Sequence, residues 1–122
     1  MAEKNEPVCF IAMAFGHKDT DDLYEKQLLP VLTRLGINAI RIDLMQSNDD
    51  INIQIIELLK SAHFCISDLT YARPSVYFEA GFAQHTIPVI YSVRRDHLDP
   101  GQPEDRRVHF DLHEAHYLLG GF

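Results

Sequence analysis

Residues 8–15 read VCFIAMAF, a nearly unbroken apolar run closed by Pro7 on one side and Gly16 on the other. A strand with one wet face alternates apolar and polar residues, so a short continuous run predicts a strand buried on both faces, as in a parallel sheet. The next segment has a different period. Across 20–35, Tyr24, Leu28, Val31 and Leu35 recur at helical spacing, with Asp19 or Thr20 as N-cap, acidic residues in the first turn and Gly36 as a stop. Pro30 predicts a kink in this helix.

The alternation continues down the chain. Strands are predicted at 39–44, 63–69 and 87–93, with a fifth at 108–112. A second helix is predicted over 49–62, with Ile51, Ile55, Leu58 and Ala62 on one face, and a third opens on Pro74 and runs to about His85. Strands and helices taking turns imply right-handed crossovers and an α/β three-layer sandwich, flavodoxin- or Rossmann-like, with about five mostly parallel strands. In such sheets the ligand crevice lies beyond the carboxyl ends of the strands, where the strand order reverses. For the order 2-1-3-4-5 the loops at that point are 13–19 and 68–74.

Composition narrows the partners. A net charge of −7 argues against a nucleic acid, whose binding rests on Lys and Arg displacing counterions, and favours a small molecule. No run approaches the ~18 apolar residues of a membrane helix, and the opening MAEKNEPVCF lacks the layout of a signal peptide, so a cytoplasmic protein with no membrane partner is expected. Cys9 and Cys65 lie in apolar runs and read as reduced core residues. The stretch 94–107 has two prolines, a glycine and eight charged residues, and cannot bury an apolar face; a mobile lid or a disordered surface segment is expected there. Its arginines, Arg94, Arg95, Arg106 and Arg107, decorate a solvated turn or form a site. His109, His113 and His116 with Asp111 have spacings that could ligate a metal, but on a strand their side chains diverge, and no metal is expected.

Residues 68–83, DLTYARPSVYFEAGFA, set the sharpest question, because Glu79 is flanked by Tyr77, Phe78, Ala80, Gly81 and Phe82. Either Glu79 is an edge residue whose carboxylate snorkels to water, or the fold holds a carboxylate in a partly apolar crevice. Gly81 is costly inside a helix, and close packing of helix on sheet would account for it.

The segments FIAMAF at 10–15, SDLT at 67–70, PSVYFEAGFA at 74–83 and PVI at 88–90, in this order and spacing, resemble the nucleoside 2-deoxyribosyltransferase-like superfamily, including its bacterial TIR-like nucleotide-binding branch. The resemblance covers roughly residues 8–93, and HFDL at 109–112 looks like a late strand of that branch. It implies one such domain over 1–122, and a native protein continuing past Phe122 is compatible with it. It further implies cleavage or transfer of an N-glycosidic bond in a nucleoside, nucleotide or dinucleotide without a cofactor, or, in the TIR-like branch, a non-catalytic nucleotide sensor. A homo-oligomer is expected, covering exposed residues near Tyr71, Tyr77 or Phe82. Glu79 falls on the family's glutamate nucleophile, helped to stay ionised by the helix dipole, and Asp68 on an aspartate near the substrate. Asp68 otherwise reads as a turn or cap residue. The two are expected to face one crevice. Met13, Phe15, His17, Thr70, Arg73 and Ser75 fall on or beside substrate-binding positions. The chain departs from the pattern at Arg73, near where the transferases carry a further acidic residue, and at Ser75, where the TIR-like branch has asparagine. An arginine there suits a phosphate, or is a solvated loop residue.

Overall fold

The computed structural model describes residues 6–42, 49–98 and 117–120. Five strands, β1 (Val8–Ala12), β2 (Asn38–Arg41), β3 (Phe64–Asp68), β4 (Val89–Arg94) and β5 (Tyr117–Gly120), form one sheet in the order β2-β1-β3-β4-β5. All four pairings are parallel. The helices are α1 (Lys18–Asp22), α2 (Leu29–Arg34), α3 (Asp49–Ser61) and α4 (Pro74–Gln84). This is the flavodoxin-like α/β sandwich expected from the alternation. The fifth strand lies at Tyr117–Gly120; the expected strand at 108–112, with His109, Asp111, His113 and His116, lies outside the described residues. No described helix is long and apolar enough to cross a membrane.

Strand alternation sorts the apolar run of β1 onto two cores. Cys9, Ile11 and Met13 pack with Leu32 and Ile66 against Leu23, Tyr24 and Leu28 on the α1–α2 face. Phe10 and Ala12 join Cys65, Tyr91 and Val93 beneath Ile55 and Leu59 of α3 and Val76, Ala80 and Ala83 of α4. The central strand is apolar on both sides because helices cover both sides. Cys9 and Cys65 are free and buried on opposite faces, and burial pushes the Cys9 thiol up to about 12 and the Cys65 thiol higher still, so both pack as small hydrophobes.

The first helical segment begins two residues earlier than its sequence suggests, with His17 as N-cap, and changes its period midway. A π-helical stretch at Leu23–Leu28 joins α1 to α2, and the Leu29 amide donates to the Tyr24 carbonyl five residues back. Pro30 has no amide hydrogen, and its ring would crowd the carbonyl four residues back in an ordinary helix; the wider turn relieves this. The extra residue also rotates the apolar stripe. Tyr24 and Leu28 are followed by buried Leu32, while Val31 and Leu35, expected on the inner face, are exposed. At the end Gly36 adopts φ 75°, and Ile37 and Gly36 donate to the Leu32 and Thr33 carbonyls, closing a Schellman motif.

Close packing does not explain Gly81. A methyl group there would meet no atom within 4 Å. Gly81→Ala is therefore expected to stabilise the fold by about 0.5–1 kcal/mol through helix propensity alone, measured by urea unfolding. A destabilised variant would mean that the position needs its glycine.

Candidate functional site

The loop from Leu69 to Arg73 links β3 to α4 and turns sharply. Tyr71 and Ala72 take φ values of 75° and 49°, a left-handed pair that costs about 1–2 kcal/mol per residue without glycine. Contacts from three other segments hold it. The Tyr71 amide donates to Nδ1 of buried His97 at 3.1 Å, its hydroxyl donates to both oxygens of Asp19 at 2.9 Å, and its ring stacks on His17 at 3.7 Å. Arg94 closes the circle, donating to Asp19 at 2.6 Å and to Asp96 through two nitrogens, while its amide donates to the Thr70 hydroxyl at 2.9 Å. Burial raises the Asp19 carboxyl, but hydrogen bonds from Arg94, Tyr71 and the Thr20 amide, with the charge of Arg94, outweigh it and hold the group below the usual range.

The start of the charged stretch after β4 is thus built into the structure. Arg95–Leu98 is a 3-10 turn and His97 is buried, in contrast to the mobile lid or disordered segment expected there; residues 99–107 lie outside the described set. A histidine can accept from a loop amide that no ladder satisfies, which a composition argument does not register.

Asp68, at the end of β3, is 1% exposed. One oxygen accepts the Thr70 amide at 3.0 Å, closing a turn on its own loop, and the other accepts the Ser92 hydroxyl at 2.6 Å. Burial raises its pKa and these bonds oppose the rise; nearby Asp19 adds to it. Asp68 therefore fastens β3, β4 and the turn together.

Glu79 approaches from the other side of the sheet. It is the sixth residue of α4, 3% exposed, and packs on the face that carries Cys65. Its Oε2 is buried without a hydrogen-bond partner. Burial pushes its pKa up to about 8. The helix dipole expected to keep it ionised fades within the first turn, and Glu79 lies past that turn, so desolvation prevails.

The remaining positions divide between surface and scaffold. Arg73 is exposed at the N-cap of α4 and Ser75 is half-buried in its first turn. Met13 is buried in the α1–α2 core, and Thr70 is fully buried. Phe15 is half-buried, with the Arg41 guanidinium 3.8 Å from its ring centroid. His17 and Thr70 join Asp68 in the network around Tyr71, whereas no hydrogen bond joins Glu79 to that network among the described residues. Tyr71, Asp19, His97 and Arg41 were not singled out as site residues from sequence, and Arg94, read there as decorating a solvated turn or forming a site, belongs to the network. Their partners lie far along the chain, 75 residues in the case of Asp19 and Arg94, so no local pattern announces them.

No family model and no curated protein matches the chain. Solved structures do. The chain is similar to the CMP N-glycosidase BcmB of Clostridium botulinum, with a TM-score of 0.62 and 15% identity over 93% of this chain and 88% of that one. It is also similar to a 2-desoxiribosyltransferase from Leishmania mexicana, with a TM-score of 0.55 and 16% identity over 84% of this chain and 78% of that one. At such identities the likeness is one of backbone architecture. A parallel 2-1-3-4 sheet, helices on both faces and this similarity together give the chain a nucleoside 2-deoxyribosyltransferase-like fold.

Proposed function

We propose that the protein cleaves or transfers the N-glycosidic bond of a nucleoside or nucleotide, with Glu79 as nucleophile. The observation that carries this reading is a buried carboxylate with an unpartnered oxygen, on the helix that follows β3, in a fold shared with an N-glycosidase and a deoxyribosyltransferase. A native core rarely retains such an oxygen without a use for it. In the proposed step a Glu79 oxygen bonds to the anomeric carbon as the bond to the base nitrogen breaks, and the base leaves with that electron pair and takes up a proton. Water or a second base then releases the sugar. A carboxylate in an apolar setting stabilises the oxocarbenium-like transition state strongly, because little solvent screens it. Asp68 supports the site by holding the loop ahead of α4, and His17, Phe15 and Arg73 are offered to base or phosphate.

A second reading follows from the raised pKa of Glu79. A neutral carboxylic acid donates a hydrogen bond instead of attacking, which suits a nucleotide sensor without turnover. Incubation with deoxynucleosides, nucleoside monophosphates and NAD, followed by chromatography, separates the two. Free base released by wild-type protein and lost in Glu79→Gln supports the enzyme. Calorimetric binding without base release supports the sensor, and neither result would sink both. Phe78, 55% exposed on α4 near Phe82, is offered to a second copy of the chain, and light scattering tests that homo-oligomer.

A further inference from the structure

Ser67 has no assigned role, and its environment is unusual. It is fully buried in β3 and its hydroxyl has no hydrogen-bond partner. Alternation along β3 places it on the same face as Cys65, the face covered by α4 and the one from which Glu79 influences the Cys65 thiol. The heights agree. α4 returns antiparallel to β3 from the end of the strand, so five residues of helix at about 1.5 Å each bring Glu79 back by roughly two strand residues at about 3.3 Å each. Counted from the strand end, that reaches about the depth of Ser67 and Cys65, in keeping with the influence of Glu79 on the Cys65 thiol. Ser67 is flanked in register by Ala12 of β1 and Tyr91 of β4. Two buried polar atoms without partners, Ser67 Oγ and Glu79 Oε2, thus share one layer between sheet and helix.

We propose that Ser67 is a positioning residue for Glu79, its hydroxyl serving as the donor to the ionised carboxylate. While Glu79 is protonated, the pair can stay apart. Once the proton leaves, the carboxylate needs donors in a layer that otherwise holds Phe10, Ala12, Ile55, Leu59, Val76 and Ala80. Rotation of the Ser67 hydroxyl and a small swing of the flexible glutamate chain supply one. Among the described residues, the titratable groups that β3 and β4 bring to the cluster beneath α4 are the Cys65 thiol, which feels Glu79, and the Tyr91 phenol; α3 and β1 contribute apolar side chains. The catalytic consequence rests on Glu79 being the nucleophile, whereas the hydrogen bond does not.

The test reads the Glu79 carboxyl directly, by carbon NMR titration and by thermal unfolding across pH, in wild type, Ser67→Ala, Ser67→Thr and Tyr91→Phe. A hydrogen bond to the charged form corresponds to about one pH unit, so Ser67→Ala should raise the Glu79 pKa by about that much. Ser67→Thr, which keeps the hydroxyl, and Tyr91→Phe should leave it in place. The effect of Ser67→Ala on Tm should change sign. Below the titration, removing an unsatisfied hydroxyl raises Tm; above it, the carboxylate loses its donor and Tm falls. In a Glu79→Gln background the sign change disappears. A Glu79 pKa unmoved by Ser67→Ala, or moved equally by Tyr91→Phe, overturns the proposal. Should Ser67→Ala fail to fold, a Ser67→Thr protein whose Glu79 titrates as in wild type, with Ser67→Cys shifted upward, upholds it, and any other pattern rejects it. These readouts need no substrate, so absence of base release would defeat the proposed activity and leave this hydrogen bond standing.

Discussion

Glu79→Gln should make the protein more stable at about pH 9 than the wild type while abolishing base release. The sign follows from linkage. Glu79 keeps its proton in the folded state up to about 8, whereas in the unfolded chain it loses it near the ordinary 4.5. Between these values the folded state binds more protons, so the stability from neutral Glu79 is full below about 4.5 and is lost as pH rises to about 8. At about 1.4 kcal/mol per pH unit the ceiling is about 5 kcal/mol, and relaxation or water entry reduces it. Glutamine removes the penalty because it has no charge to bury. Urea unfolding of both proteins at about pH 5 and pH 9 checks this. Parallel pH dependences would mean that Glu79 is solvated when ionised and that its burial has been overstated. Turnover should fall by orders of magnitude in the same variant, because an amide cannot form the glycosyl ester, and ligand binding should survive. If Glu79 is the nucleophile proposed above, activity in the wild type should rise with pH towards about 8 as it ionises.

The second large effect is expected at Arg41, at the end of β2. Its side chain is 6% exposed, lies 3.8 Å from the Phe15 ring centroid and 5.0 Å from that of Tyr24, and donates to the Ala14 carbonyl at 2.7 Å and to Asp21 at 2.8 Å. One guanidinium thus ties the loop after β1 to α1. Arg41→Ala leaves the Ala14 carbonyl without this donor, removes the partner of Asp21 and opens a gap between two rings, with an expected loss of about 3 kcal/mol. Arg41→Lys should recover only part of it, because an ammonium cannot lie flat between rings and fork to two acceptors. Denaturant unfolding gives the loss, and a value under about 1 kcal/mol would show that the loop is held by other contacts. Since Phe15 and His17 sit on this loop, ligand affinity should weaken with stability in Arg41→Ala.

Local pattern was enough for the layers. The unbroken run of β1 requires cover on both faces, the helical segments over 20–35 on one side and over 49–62 and 74–85 on the other provide it, and Gly36 and Pro74 punctuate as their backbone chemistry dictates. The motif at 74–83 singles out Glu79, because a carboxylate among aromatic and small residues is anomalous at the level of the chain itself. The tertiary structure decided what that carboxylate experiences. Its place past the first turn of α4 and the apolar layer around it depend on how helix and strand pack, and they turn the dipole-stabilised anion expected there into a group with a pKa of about 8. The tertiary structure likewise made Asp68 a fastener of β3 and β4, gathered Asp19, Tyr71, Arg94 and His97 around a left-handed turn, and moved the buried stripe of the first helix from Val31 to Leu32 through a π turn. The physical reason is common to these cases. Periodicity and turn chemistry act between near neighbours and can be read along the chain, whereas desolvation and long-range hydrogen bonding depend on which distant segments meet.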